Sequence, residues 1–159
     1  MKTIHSMIAA IGLAFVLPTA ADAGVNDPEV IVYRFPGVLN GTEKDAPVPA
    51  ATVFHCTNFS GVPETLRFVM RTNSGALATN VTASIDHLAT ITVATKATAA
   101  YRLDLDMGMA NPITQGTMAI AATSTNIICT AMTILTTVLV PDGVALRGIR
   151  FSPIPGSQE

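Results

Sequence analysis

Residues 64–85 read ETLRFVMRT-NSGA-LATNVTASI, and this stretch decides the fold class. From Glu64 to Thr72, Leu66, Phe68 and Met70 alternate with Arg67 and Arg71. A period of two places one row on a core and the other toward water, as a strand does. Asn73-Ser74-Gly75 supplies a three-residue turn with glycine where positive φ is needed. Leu77 to Ile85 then returns with Leu77, Val81 and Ile85 on one face. The whole stretch is predicted to be a β-hairpin.

The same signal recurs on both sides. Val30–Phe35, Thr52–Asn58, Ala89–Thr95, Ala99–Asp106, Thr117–Thr123, Asn126–Thr136 and Val144–Phe151 read as further strands. They are rich in Thr, Val and Ile, whose β-branched side chains suit a pleated surface and disfavour helix. Residues 36–50 read as a long connection, with Pro36-Gly37, Asn40-Gly41, Pro47 and Pro49; residues 107–116 read as a loop, and Pro141-Asp142-Gly143 as a turn. The expected architecture is all-β: an antiparallel two-sheet β-sandwich of about nine short strands, formed as one domain over residues 24–159.

In the last segment Val144 and Leu146 have one parity and Ile149 and Phe151 the other. One strand buries all four on one face only with an extra residue, so a β-bulge is expected at or beside Gly148, with Arg147 and Arg150 outward.

Cys56 and Cys129, 73 residues apart, are expected to form one disulfide. That spacing suits an immunoglobulin-type bridge. The rest of the signature is absent, because the chain has no Trp and Ile127 stands where a tyrosine corner would place Tyr. A sandwich other than a true immunoglobulin domain is the expectation.

Residues 1–23 read as a cleavable signal peptide. Lys2 gives the positive start, Met7–Leu17 an apolar run, and Ala21-Asp22-Ala23 a cleavage site before Gly24. The apolar run falls short of the roughly 20 residues a membrane span needs. The protein is therefore expected outside the cytoplasm, in the periplasm or the extracellular space, and no later stretch reads as a membrane span.

The residues carry little chemistry. A formal net charge of −2 and a charged fraction of 13% leave no basic stripe for nucleic acid. His55 and His87 lack the neighbouring nucleophile and carboxylate that triad catalysis requires. His55 and Cys56 are adjacent on a strand and point to opposite faces, which argues against a shared metal. Arg102, Asp104 and Asp106 share one strand face and read as an outer charged cluster; two such carboxylates could contact Ca²⁺, but the calcium-loop spacing is missing. Asn40-Gly-Thr, Asn58-Phe-Ser and Asn80-Val-Thr match the glycosylation sequon. No catalytic residue, metal or cofactor is expected.

Phe54-His55-Cys56-Thr57-Asn58, Leu66-Arg67-Phe68-Val69, the run Gly116–Thr125, Cys129-Thr130-Ala131-Met132 and the ending from Arg150-Phe151-Ser152-Pro153 to Gln158-Glu159 resemble a group of uncharacterised exported proteins of Gram-negative bacteria. The resemblance spans most of the chain from Ala51 onward. It implies export and a β-rich fold, and brings no assigned activity.

The functional expectation is a non-enzymatic structural or accessory protein working through protein–protein contact. Partner binding or self-association is expected through a free edge strand, with Val30–Phe35 as the candidate. The alternative is a soluble β-sandwich that binds a small ligand or a glycan.

Overall fold

The structure is a computed structural model that describes residues 29–41, 49–102, 105–109 and 111–151. The expected signal peptide and its cleavage site lie outside the described residues. Among those described, every regular element is a strand: β1 (Val30–Asn40), β2 (Ala50–Asn58), β3 (Glu64–Thr72), β4 (Leu77–Ile85), β5 (Thr90–Ala94), β6 (Leu105–Asp106), β7 (Ile113–Ala122), β8 (Ile127–Leu135), β9 (Gly143–Leu146) and β10 (Ile149–Arg150). Among the described residues, no helix is long and apolar enough to cross a membrane.

The hairpin of residues 64–85 forms as the alternation predicts. In β3, Glu64, Leu66, Phe68 and Met70 are buried, and Gly75 takes a φ of 84° in the turn. Leu77 departs from the expected face. A register shift where Arg71 pairs with Leu77 turns it out, and it is exposed.

The strands join in one ten-stranded sheet, along the order β4-β3-β7-β1-β2-β5-β6, with β10 on β1, β8 on β2 and β9 on β8. The link between its halves is a single pair, Asn40 with Ala51. At that seam threonines do the work of a ladder. The Leu39 N–H donates to Thr52 Oγ1 (2.9 Å), the Thr52 N–H to Thr95 Oγ1 (3.0 Å), and Thr95 Oγ1 to the Leu39 carbonyl (2.8 Å). Buried polar backbone is thereby satisfied where strands diverge.

The sheet then curls over its own core. Phe54 of β2 lies 5.5 Å from Phe35 of β1 and 6.3 Å from Phe68 of β3, ring centre to ring centre. β2 and β3 share no hydrogen bonds, so only curling brings these rings together. Val32, Val38, Leu66, Met70, Met118, Ile120 and Ile127 fill the space around them. The outer face of β2 is covered as well: Val53, Ala94 and Ile134 pack with Ala100, Tyr101 and Met132 in a small second cluster.

Four expectations need correction. The all-β class holds, but the ladder is continuous and includes one parallel pair, β5 with β6, so it is not plainly two separate antiparallel sheets. The strand over residues 99–106 shortens to Leu105–Asp106, because residues 95–102 are used as a cover over β2 and β8.

The first strand does not stop at Phe35. It continues to Asn40 with Pro36-Gly37 inside it, and register shifts against β7 flank Val32, Gly37 and Leu39. Each shift resets the pleat, so Val32, Phe35 and Val38 all reach the core at intervals of three. Gly37, at φ 77°, supplies one of these irregularities. This strand is also central: it pairs with β7 along most of its length and with β10 and β2 on the other side. It is no free edge.

Finally, the last strand has no bulge at Gly148; it changes partner there. β9 pairs with β8 and β10 pairs with β1, with Arg147-Gly148 unpaired between them. The parity conflict is met by handing the chain across the sheet. Val144 and Ile149 remain exposed, and Phe151 closes the end through its N–H to the Val32 carbonyl (2.9 Å) and its ring beneath Arg34 (5.3 Å).

Candidate functional site

Cys56 and Cys129 are bonded, and both lie in the core as a directly opposed pair of β2 and β8. The bridge joins neighbouring strands within the curled sheet rather than two layers.

His55 points to the opposite face of β2. Its Nδ1 lies 3.1 Å from Thr92 Oγ1, and its ring meets the Tyr101 ring edge-on at 4.7 Å. Burial under the 95–102 cover lowers its pKa from the ordinary 6.5, since a charged imidazolium loses hydration there. Tyr101 reaches on to Met132 Sδ through its hydroxyl. The group is a polar seam beneath a loop and contains no carboxylate. His87 is exposed, and its Nδ1 accepts the Gly61 N–H at 3.0 Å.

Arg102 lies in an exposed turn, and Asp106 lies exposed in β6, where its carboxylate accepts the Gly108 N–H at 2.9 Å. Asp104 lies outside the described residues. Among the described residues, no three His, Cys, Asp or Glu side chains gather as a metal site.

Two of the three sequon asparagines are internal. Asn40 is buried and donates to the Asn111 carbonyl; Asn58 is buried and donates to the carbonyls of Val62 and Ile85 while accepting the Ser60 N–H. Both serve the fold as buried amides that tie loops to strands, and only Asn80 is exposed.

Two surface features remain that could meet another molecule. A shallow concavity of about 390 Å³ is lined by Phe59, Asn126, Ile128 and Arg150. Phe59 is 49% exposed there. It follows directly on β2, and a single aromatic in a Thr-rich sequence gives no periodic signal. The second feature is the outer edge of β4. This nine-residue strand pairs only with β3 among the described residues.

Comparison with protein-family models, with curated proteins and with solved structures finds no match to this chain.

Proposed function

We propose that this is an exported, non-catalytic protein of the envelope or extracellular space, with a structural or accessory role exercised through protein–protein contact. The observation that carries the reading is the β4 edge: a long, uncharged strand whose outer N–H and C=O groups have no partner strand among the described residues. Such an edge is a template for another strand. The disulfide supports an oxidising compartment. The leader at residues 1–23 and the resemblance to exported Gram-negative proteins favour the same placement. We read the curled sheet as a variant of a two-layer sandwich, on the strength of the Phe35–Phe54–Phe68 contacts.

The test is expression with the leader in a Gram-negative host, followed by fractionation, cross-linking and intact mass. A chain starting at Gly24, outside the cytoplasm and cross-linked to protein, is the expected result. A chain that retains Lys2, or that cross-links to nothing, overturns the reading.

The Phe59 concavity favours a second reading, a ligand- or glycan-binding module. A ring face packs on the apolar C–H face of a sugar while Asn126 and Arg150 offer hydrogen bonds. Saccharide binding lost on Phe59→Ala, by a chain that cross-links to nothing, would favour it over the first.

A further inference from the structure

Among the described residues, the edges of this sheet that lack a further partner strand are not alike. β6 presents Leu105–Asp106 and β10 presents Ile149–Arg150; each is two residues long and contains a charge. β9 has four residues and lies between Asp142 and Arg147. β4 has nine residues, LATNVTASI, with no charge and no proline. Natural sheets guard long edges with charge, proline, bulges or brevity. From Thr79 to Ile85 the pairing of β4 with β3 is regular, and none of these guards is present.

We propose that β4 is the self-association edge of this protein, two copies pairing antiparallel about Val81. This deepens the protein-contact role proposed above and rests on it. The strand is its own complement when reversed. On the inner face, Val81 meets Val81 and Thr79 meets Ala83, while the register shift at Leu77 keeps that residue out of the row. On the outer face, Asn80 meets Thr82. An aliphatic pair thus lies at the centre, and the amide faces a hydroxyl.

Charge favours a second copy over a strand that carries charge. No residue of either β4 opposes a like charge, and the neutral edge offers no ion pair to a foreign partner. The nearby Arg67 and Arg71 of β3 would lie three strand spacings of about 4.8 Å from those of the other copy. That exceeds the Debye length of about 8 Å at physiological salt, so they do not oppose pairing. The half-buried row Thr79, Val81 and Ala83 would gain cover from its counterpart.

The test measures the dimer dissociation constant of the disulfide-bonded exported protein by sedimentation equilibrium. Two double variants are compared at the exposed outer row. Asn80→Lys with Thr82→Lys sets lysine against lysine, and should weaken the dimer about tenfold or more. Asn80→Lys with Thr82→Glu sets the new lysine against the new glutamate of the second copy, and should restore it. Thermal melts establish that both variants fold.

A charge-swapped variant no tighter than the double-lysine variant overturns the pairing about Val81. A parent that stays monomeric overturns self-association altogether. If that monomer still cross-links to another envelope protein through β4, the protein-contact reading survives with a different occupant; if it cross-links to nothing, both fall.

Discussion

Cys129 of β8 stands directly across from Cys56 of β2, with the two Cα atoms 4.2 Å apart and the bond inside the core. The ladder around it runs without interruption from Ala50–Leu135 to Asn58–Ile127. The bond therefore holds together residues that the sheet already pairs.

Its stabilising effect is expected to act mainly on the unfolded chain. Closing a loop across a separation of 73 residues restricts that ensemble. The chain-entropy treatment gives about 4 kcal/mol for such a loop. A Cys56→Ala, Cys129→Ala variant should keep its fold by circular dichroism and melt well below the parent, with each single variant losing about as much. A double variant as stable as the parent, or two free thiols in the parent denatured without reductant, would remove this role.

Gly148 marks the point where the last strand changes partner, and it lies against the Phe35 ring. A Cβ added there would come within 2.4 Å of Phe35 Cε1. Phe35 is buried and has little room to withdraw. Overpacking of this kind costs about 1–3 kcal/mol, which is the loss expected for Gly148→Ala. The loss should shrink in a Phe35→Leu background, where the ring edge is gone. Equal losses in both backgrounds, by urea denaturation, would place the clash elsewhere.

His55 predicts a pH dependence. Its pKa in the fold is lowered below 6.5 by burial, so the unfolded chain binds the proton more readily. The contribution to stability is whole above about pH 6.5 and is lost as pH falls through the lower folded value. Thermal melts between about pH 7.5 and about pH 5 should show His55→Gln losing less stability on acidification than the parent. Parallel curves for the two proteins would mean that other groups govern the acid response.

The central place of β1 changes what truncation should do. Removing residues 24–35 takes away most of the strand between β7 and β10, together with the buried Val32 and Phe35. The remaining chain should lose its cooperative melt and its near-UV signal. A truncated protein that still melts cooperatively would show β1 to be a dispensable addition.

The hairpin of residues 64–85 was legible except for the facing of Leu77, because each strand alternates and the turn contains glycine at its positive-φ position. β1 was legible only as far as Phe35. Its core residues recur every third position, a spacing that becomes a strand only when bulges reset the pleat. Residues 99–106 alternate as a strand would, yet Ala100 and Tyr101 cover β2 and β8 from outside. Asn40 and Asn58 matched a surface motif and are buried, because local sequence does not state which loop closes over an amide. Phe59 and the β4 edge gave no signal at all, since exposure depends on what the rest of the chain leaves uncovered.

By itself, then, the order of residues determined an all-β chain, the 64–85 hairpin and a single possible cysteine pair, all set by local periodicity, turn chemistry or count. Tertiary structure alone decided that β1 is central, that the bridge joins adjacent strands, that the last strand passes from β8 to β1, and that β4 has no partner strand but β3 among the described residues. The physical reason is that a period of two tells which side chains point inward but carries no information about which strand lies alongside. That choice is made by non-local hydrogen bonds and by the fit of Phe35, Phe54 and Phe68 in one core.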